Sequence, residues 1–482
     1  MDKTLTRLKS DVPGLDEICG GGLVAGSSYI FQGRPGAGKT ILANQVAFAQ
    51  ARKGSKVLYV TLLAESHDRL FQSLSTLDFF DARLIGHELT YVSLFRTLRE
   101  EGLPALVATL RGELHRLNAS MLVLDGLLNA REIGQTNLDV KTFVAELQGH
   151  AAFTGCTVLF LTSARIDESS PEHTMVDGVL QLEECLAGSR TVRRIRIAKS
   201  RGSRALGGMH LFEISHRGVD VYPRLEAALG NPSGPDHPSA GRQRTGTNGL
   251  DARLQGGLPG SSVTAIVGPA GSGKTTFGIG FLRLATPERP ALHFGFYETP
   301  QRLAAKAASL DIDLHALVHS GALRIIWRPL TENLLDKLAY DLLNAVRDTG
   351  AERLFIDGLA GFERATTEPH RMVEFFAALT NELRSLGVTT VCTWEVKELS
   401  GPWVTNPSPE ILSQIDNVIG MQHAMTDGQL RRSLSVLKVR DSLFDTSVAE
   451  VGIAGAGAGL HVIGTMPSAA TGTAAGHNAG GQ

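Results

Sequence analysis

The chain of 482 residues carries one series of motifs twice, in the same order. Residues 33–40 read GRPGAGKT and residues 268–275 read GPAGSGKT. Four other pairs of segments recur at an offset of about 235 residues: 11–23 with 245–258, 56–66 with 291–300, 121–126 with 353–358, and 195–203 with 434–442. Solenoid repeats are only about 20–50 residues long, so a period of this length duplicates a whole domain. The sequence therefore predicts two copies of one domain.

The segment between the two copies, LEAALGNPSGPDHPSAGRQR, has the composition of a linker. It is rich in Pro, Gly and Ser and shows no hydrophobic periodicity. We predict a first domain over residues 1–225, a linker over 226–241 and a second domain over 242–465. Residues 466–482 are low in complexity, which predicts a disordered tail.

Within each copy, short apolar runs alternate with amphipathic stretches. KVLYVTLL, MLVLD and TVLFLTS are unbroken runs of β-branched and aliphatic residues, typical of parallel strands that are covered on both faces. After the first glycine-rich segment, ILANQVAFAQARKG places Leu42, Val46 and Ala49 on one stripe and ends at Gly54, which predicts a helix. The fold class is therefore α/β, with a largely parallel sheet sandwiched by helices in each copy.

The two glycine-rich segments match the phosphate-binding pattern G-x-x-x-x-G-K-[ST]. The glycines let backbone N–H groups point at phosphate oxygens, and the following helix adds its positive N-terminal end. The lysine reaches the β- and γ-phosphates, and the threonine hydroxyl binds Mg²⁺. A chance match is the alternative in a chain with 53 glycines, but two matches between a strand and a helix argue against it. The predicted nucleotide-binding residues are Gly33, Gly36, Ala37, Gly38, Lys39 and Thr40 in the first copy, and Gly268, Gly271, Ser272, Gly273, Lys274 and Thr275 in the second.

An aspartate ends an apolar strand in each copy. Asp125 and Asp357 precede a glycine and are placed to complete the Mg²⁺ shell together with Thr40 and Thr275. The alternative is a helix N-cap or a turn aspartate. The duplicated pattern favours the metal role.

A glutamate follows the next strand after each loop helix. Glu65 and Glu298 could orient or deprotonate the water that attacks the γ-phosphorus. The alternative is a solvated glutamate that caps the next helix. We predict the catalytic role from position.

A pair of cations recurs near the end of each copy. Lys199 and Arg201, like Lys438 and Arg440, are two residues apart and therefore share one face of a strand. From the residues alone three interpretations stay open. The pairs could form a solvated strand edge or a nucleic-acid patch. They could also contact the γ-phosphate that is bound to a neighbouring subunit, as an arginine finger does.

The composition argues against several classes of protein, although it leaves a local nucleic-acid patch open. The formal net charge is −2, so no global basic field attracts nucleic acid or an anionic membrane. The four cysteines are scattered without metal-ligand spacing, as in a reducing compartment. The N-terminus lacks the apolar core of a signal peptide, and no run of about 18 apolar residues occurs. We expect a soluble cytoplasmic protein that contacts neither membrane nor nucleic acid.

Together these motifs resemble the KaiC-type proteins, tandem-domain ATPases of the RecA superfamily. The resemblance covers about residues 4–225 and 242–465 and rests on T-G-x-x-G-L-D…G-G-L-P, both loops, both strand-end aspartates and both K-x-R pairs. It implies two RecA-like P-loop domains that use ATP and Mg²⁺. It also implies a homohexameric double ring with ATP at subunit interfaces, and protein partners in signalling. In that ring, Lys199/Arg201 and Lys438/Arg440 would act in trans on the neighbour's nucleotide.

The chain departs from this family pattern at the glutamates. Family members carry two adjacent glutamates after the second strand, whereas this chain has Ala64–Glu65 and Tyr297–Glu298. One carboxylate suffices to activate water, so we predict ATP hydrolysis and leave the Ser/Thr autokinase activity of the family's second ring open. Ser413 corresponds to the family's phosphoacceptor, with Ser408 and Thr405 nearby.

The leading hypothesis from the sequence is an ATP-hydrolysing hexamer that works as a slow switch or signalling timer. A DNA-acting recombinase or helicase relative is the second hypothesis, since the fold is shared. The net charge and the lack of interleaved aromatic and basic residues argue against it. A non-enzymatic scaffold gated by nucleotide is the third. The lysine, aspartate and glutamate present in both copies argue against that alternative.

Overall fold

Two parallel-cored sheets, one in each half of the chain, form the framework of the computed structural model. The structure describes residues 5–64, 67–127, 137–163, 171–235, 239–396, 408–426, 428–454 and 459–466. The chain divides into two units, Met1–Gly230 and Asn231–Gln482. The predicted tail lies outside the described residues beyond Met466. The predicted domain and linker bounds stay a prediction.

The first unit alternates strands with helices over most of its length. Its strands are β1 Arg7–Leu8, β2 Leu23–Val24, β3 Ser28–Gln32, β4 Val57–Thr61, β5 Leu89–Ser93, β6 Met121–Asp125, β7 Thr157–Thr162, β8 Gly178–Ala187, β9 Arg190–Ser200, β10 His210–Ser215 and β11 Gly218–Tyr222. Its helices are α1 Leu15–Ile18, α2 Lys39–Arg52, α3 His67–Leu74, α4 Phe95–Leu117, α5 Asn137–Thr154, α6 Pro171–Met175 and α7 Leu225–Ala228, with a 3₁₀ turn at Ala82–Leu84.

The second unit repeats this order. Its strands are β12 Ser239–Gln243, β13 Leu258–Gly260, β14 Val263–Gly268, β15 Ala291–Gly295, β16 Leu323–Trp327, β17 Arg353–Asp357, β18 Thr389–Glu395, β19 Asn417–Thr426, β20 Gln429–Val439, β21 Ala449–Ala454 and β22 Gly459–Thr465. Its helices are α8 Leu250–Arg253, α9 Lys274–Leu282, α10 Pro300–Ala308, α11 Leu314–His319, α12 Leu335–Thr349, α13 Ala360–Ala365, α14 Met372–Ser385 and α15 Pro409–Gln414, with a 3₁₀ turn at Pro369–Arg371.

The main sheets of the two units have the same topology. Over the described residues, the strand order is β5-β4-β6-β7-β3-β8-β9-β10-β11 in the first unit and β16-β15-β17-β18-β14-β19-β20-β21-β22 in the second. Strands from β5 to β8 and from β16 to β19 are parallel in these orders, and the remaining strands are antiparallel. This confirms the predicted α/β class in both copies.

Helices cover both faces of the parallel strands. In β4, Val57 and Tyr59 pack into the cluster that contains α2, whereas Leu58 and Val60 pack into the cluster that contains α4. Successive side chains of a strand point to opposite faces, so a strand covered on both sides needs an unbroken apolar run. The sequence pattern KVLYVTLL follows from this arrangement.

Residues just after the unit boundary are held by polar contacts within the second unit. The backbone N–H and the hydroxyl of Ser233 donate to the buried carboxylate of Glu382, at 2.8 and 2.7 Å. Arg347 forms an ion pair with the same carboxylate. Among the helices in the described ranges, none combines the length and the hydropathy needed to cross a membrane.

Candidate nucleotide sites

The first glycine loop runs from the end of β3 to the start of α2. Gly36 and Gly38 have φ of 82° and 95°, in the left-handed region that glycine adopts without steric cost. The ammonium of Lys39 lies inside the loop, where Nζ donates to the carbonyl oxygens of Gly33 (2.9 Å) and Arg34 (3.0 Å). Burial lowers the pKa of Lys39. The loop therefore surrounds a cation at the N-terminus of a helix.

The second loop has the same geometry between β14 and α9. Gly271 and Gly273 have φ of 78° and 105°. Nζ of Lys274 donates to the carbonyl oxygens of Gly268 (2.8 Å) and Pro269 (2.7 Å). The two loop lysines therefore have equivalent surroundings in the two units.

The first glycine of each loop is required by the neighbouring strand. A Cβ atom on Gly33 would lie 2.3 Å from the carbonyl oxygen of Leu182, and one on Gly268 would lie 2.2 Å from that of Met421. These carbonyls belong to β8 and β19, which pair with β3 and β14. The loop can start at this point only because no side chain separates the strands.

Ala37 and Ser272 occupy equivalent positions in the two loops, and both side chains are buried. The backbone N–H of Ala37 donates to Arg34 at 3.2 Å, and that of Ser272 donates to Pro269 at 3.4 Å. These amides close the turns of the loops. Contact of Ala37 and Ser272 with a nucleotide stays a prediction.

In the first site, Asp125 accepts hydrogen bonds from two hydroxyl groups. Thr40 Oγ1 lies 3.2 Å and Tyr59 Oη lies 3.1 Å from Asp125 Oδ2. Tyr59 also accepts from Asn44 Nδ2 at 3.2 Å, and the Asn44 side-chain oxygen accepts from Tyr91 at 2.7 Å. Burial, followed by the negative charge of Asp125, raises the pKa of Tyr59, so this hydroxyl stays a donor. This series of buried hydrogen bonds holds the Asp125 carboxylate in place.

In the second site, a threonine hydroxyl rather than a tyrosine hydroxyl donates to the aspartate. Asp357 Oδ1 accepts from Thr393 Oγ1 at 2.9 Å and lies 3.4 Å from Thr275 Oγ1. Burial raises the pKa of Asp357, although both threonine hydroxyls act in the opposite direction. Asp357 is not a helix cap, because α13 begins after Leu359 and has no side-chain cap.

The donors at both sites suit Mg²⁺. Each site joins a threonine hydroxyl to an aspartate carboxylate, and Mg²⁺ is usually held by one or two carboxylates plus substrate phosphates and water. In the described parts of the chain, no three His, Cys, Asp or Glu side chains form a metal-binding group. Thr40 with Asp125, and Thr275 with Asp357, could therefore hold the ion only as part of a nucleotide complex.

Glu298 lies two residues before the first residue of α10, and Thr299 between them caps that helix through its side-chain oxygen. The Glu298 carboxylate instead forms an ion pair with Lys306, with 2.9 Å between Oε1 and Nζ. Glu65, the predicted counterpart in the first copy, lies outside the described residues.

A cleft of about 390 Å³ connects these groups in the second unit. Its walls include Lys274, Asp357, Glu298 and two residues that the motif analysis missed, Lys306 and Glu395. Burial lowers the pKa of Lys274, Glu395 and Asp357 act in the opposite direction, and Lys306 adds to the lowering. Glu395 ends β18 beside the strand that carries the loop, so a search of all strand ends could have found it.

Each K-x-R pair caps the short helix that precedes the antiparallel strands. Lys199 Nζ donates to the carbonyl oxygens of His173 and Thr174, both at 2.8 Å, at the end of α6. Lys438 Nζ donates to the carbonyl oxygen of Ile415 at 2.6 Å, just after α15. Cations at a helix C-terminus also interact favourably with the helix dipole. This structural role was not among the interpretations of the sequence.

The arginines of both pairs directly follow β9 and β20, at the end of the sheet that is opposite to the loop of their own unit. The backbone N–H of Arg440 donates to Asp416, and that of Asp416 donates to Val263. Val263 begins β14, whereas the loop starts at its other end, Gly268, roughly 16 Å along the strand. Arg201 is connected in the same way through Asp177 to Ser28, the first residue of β3.

The basic run of the first unit is partly neutralised. Arg193 forms an ion pair with Glu184 at 2.7 Å, and Arg194 lies opposite Glu183 in the sheet. Paired arginines leave less charge for phosphate contacts, which weakens the nucleic-acid interpretation of this run.

The family model described as "ATPase: KaiC" matches residues 8–226 and again residues 243–464, so it covers both units. The chain belongs to the KaiC ATPase family. Curated KaiC proteins align over most of its length. The circadian clock oscillator protein KaiC 1 of Synechocystis sp. is 24% identical over 94% of this chain and 88% of its own length. The KaiC proteins of Picosynechococcus sp. and Synechococcus elongatus are 25% and 23% identical, over 95% and 93% of this chain and 90% and 88% of their own lengths.

In this KaiC-family chain, the predicted phosphoacceptor lies on α15. Ser413 is exposed, and its hydroxyl donates to the carbonyl oxygen of Glu410 at 2.6 Å. Its own carbonyl oxygen accepts from Arg440 Nη2 at 3.3 Å. The alternative Ser408 is the residue before α15, and Thr405 lies outside the described residues.

Proposed function

We propose that the chain binds Mg·ATP at both loops and hydrolyses it. The observation that carries this proposal is the duplicated arrangement of a loop lysine, a threonine hydroxyl and a buried aspartate at the carboxyl ends of parallel strands in one sheet. Lys39 and Lys274 would bind the β- and γ-phosphates. The Thr40–Asp125 and Thr275–Asp357 pairs would hold Mg²⁺, which neutralises charge that develops on the phosphate oxygens.

In the second site, Glu298 would accept a proton from the attacking water as it orients that water toward the γ-phosphorus. It lines the same cleft as Lys274 and Asp357, and its side chain is not used as a helix cap. Glu65 would do the same in the first site. One glutamate per site meets the need of hydrolysis, because a single proton acceptor is sufficient.

We further propose that Lys199/Arg201 and Lys438/Arg440 act on the nucleotide of a neighbouring subunit. Their support is positional: each pair lies at the end of the sheet opposite to its own loop. A cation at that end can complete a site only across a head-to-tail interface, and such an interface forms a ring when the rotation between subunits closes. A homohexameric double ring is the assembly that the family resemblance implies.

The same geometry bears on autophosphorylation. α15 directly precedes β19, whose Asn417 pairs with Thr264 near the start of β14. Ser413 therefore lies away from the loop of its own unit, and any phosphoryl transfer to it would use the neighbour's ATP. We propose Ser413 as the acceptor if the second site retains kinase activity. The clock proteins among the relatives support a role as a slow switch or timer that signals to protein partners.

The hydrolysis proposal is tested by the double substitution Glu65→Gln and Glu298→Gln in the full chain. We expect phosphate release to fall on the order of 100-fold or more, as for loss of a general base. The matched control is Glu352→Gln, because Glu352 is in an exposed ion pair with Arg289. Unchanged turnover in the double variant would overturn the catalytic assignment.

A further inference from the structure

The second site holds a lysine that the phosphate-binding motif does not include. Lys306 lies on α10, two turns after Glu298, and its side chain reaches back toward the start of the helix. Helical side chains lean toward the N-terminus, so this direction is the ordinary one. The result is a 2.9 Å contact between Lys306 Nζ and Glu298 Oε1 at the wall of the cleft.

The ammonium of Lys306 acts on the loop lysine and on the metal-site aspartate. It lowers the pKa of Lys274 and also that of Asp357, in each case as a minor contribution beside burial. Such electrostatic effects require a short distance through a partly buried region. The ammonium of Lys306 is therefore part of the same charged cluster as the phosphate-binding groups.

The Lys306 ammonium also has donors to spare. An ammonium carries three N–H groups, and among the described residues the contacts of Lys306 Nζ are confined to Glu298. The lysine side chain is 36% exposed, and the cleft gives it room to turn. It can therefore bind an anion in the cleft without breaking any other contact.

The charge of the cleft makes a second cation useful there. Three carboxylates, Glu298, Asp357 and Glu395, line the cleft together with Lys274 and Lys306. A γ-phosphate that enters beside three carboxylates is repelled unless a cation offsets them.

We propose that Lys306 is a second cation for the γ-phosphate in the second site, and that Glu298 holds its ammonium until ATP arrives. When the ammonium turns to the phosphate, the Glu298 carboxylate is released to accept a hydrogen bond from water. This inference rests on the proposed function, because it requires ATP in this cleft. It applies to the second copy alone: at the offset that matches Glu298 to Glu65, Lys306 corresponds to Ser73.

The test compares triphosphate with diphosphate, because ADP has no γ-phosphate to contact. In full-length protein with the first loop disabled by Lys39→Ala, affinities for ATPγS and ADP are measured by competition with a fluorescent ADP. Lys306→Met should reduce the preference for ATPγS over ADP about tenfold, the effect of one lost charge-assisted hydrogen bond, and should leave ADP affinity unchanged.

Arg302→Met is the matched control, since Arg302 is an exposed cation on the same helix. It should leave the preference for ATPγS unaltered. Equal preferences in the two variants would overturn the role of Lys306 and leave the proposed ATPase function standing. Failure of the Lys39→Ala parent to bind any nucleotide would overturn both proposals for the second site. Tryptophan fluorescence verifies folding of each variant, because Trp327, Trp394 and Trp403 all lie in the second half of the chain.

Discussion

The buried position at the middle of β4 and β15 distinguishes the two sites at the level of single residues. Tyr59 occupies it in the first unit and donates to Asp125. His293 occupies it in the second unit, where both ring nitrogens are buried without a hydrogen-bond partner among the described residues. The ring packs against Phe355, with centroids 5.5 Å apart. The second site thus also has an aromatic ring at this position, but this ring does not donate a hydrogen bond to the aspartate.

His293 makes the stability of the second unit depend on pH. Burial lowers the pKa of His293 from 6.5 to about 4, and no charged neighbour contributes to the shift. The unfolded chain therefore takes up a proton near pH 6.5, whereas the folded chain takes it up only near pH 4. The free energy of unfolding therefore keeps the full contribution of the neutral ring above pH 6.5. It falls by roughly 3 kcal/mol as the pH is lowered to 4.

His293→Phe should remove this part of the acid sensitivity. The measurement is urea unfolding followed by tryptophan fluorescence at pH 7.5 and at pH 5, with the exposed His319→Phe as control. The wild type and the control should lose more stability between the two pH values than His293→Phe does. Parallel losses in all three proteins would contradict a neutral buried His293.

The strand–loop–helix element of the second unit needs a glycine at residue 268, because the neighbouring strand packs too closely for a side chain. A Cβ on Gly268 would lie 2.2 Å from the carbonyl oxygen of Met421, a backbone atom that cannot move without shifting β19. Gly268→Ala should therefore separate β14 from β19, with a cost of about 1–3 kcal/mol, and should abolish nucleotide binding at the second loop.

Gly350→Ala is a suitable comparison for this prediction. Gly350 has φ of 59° at the end of α12, and a Cβ there meets nothing within 4 Å. It should cost only the roughly 1 kcal/mol of a left-handed residue and leave ATP binding intact. Both variants are compared by urea midpoints and by equilibrium ATP binding, the latter with the first loop disabled by Lys39→Ala. Normal ATP affinity in Gly268→Ala would show that the strand contact is not needed.

The sequence was sufficient for the elements and insufficient for the contacts between them. Unbroken apolar runs predicted the parallel strands because both faces of the sheet are covered, as Leu58 and Tyr59 illustrate. Lys306 and Glu395 could not be found from motif spacing, since what brings them to the cleft is the direction of a helix and the order of strands. The cap formed by Lys438 was missed for the same reason: its acceptor Ile415 is adjacent only in space.

At the scale of the whole chain, duplication has kept the topology and changed the site. Both units have the same strand order and the same lysine-in-loop geometry. The aspartate is held by Tyr59 in one and by Thr393 in the other. The same frame with different polar contacts allows the two sites to differ in their properties.

The proposal that a neighbour completes each site gives a prediction that a lone chain cannot satisfy. One variant carries Lys39→Ala and Lys274→Ala, so it lacks both loop lysines. The other carries Arg201→Ala and Arg440→Ala, so it lacks both arginines that we propose to act in trans. Loss of Arg440 should cost little stability, because Asp416 keeps its ion pair with Arg384 at 2.9 Å. Each variant alone should release almost no phosphate.

Mixing the two variants under conditions of subunit exchange should restore activity. About a quarter of the interfaces in randomly mixed rings join an intact loop to intact arginines, so phosphate release should recover to about that fraction of the wild-type rate. If the arginines acted on the nucleotide of their own chain, no mixed interface would be complete and the mixture would stay inactive. Each variant incubated alone under the same exchange conditions provides the baseline. Recovery to about a quarter in the mixture, with none in either parent, is the outcome that only cations supplied across a subunit interface can give.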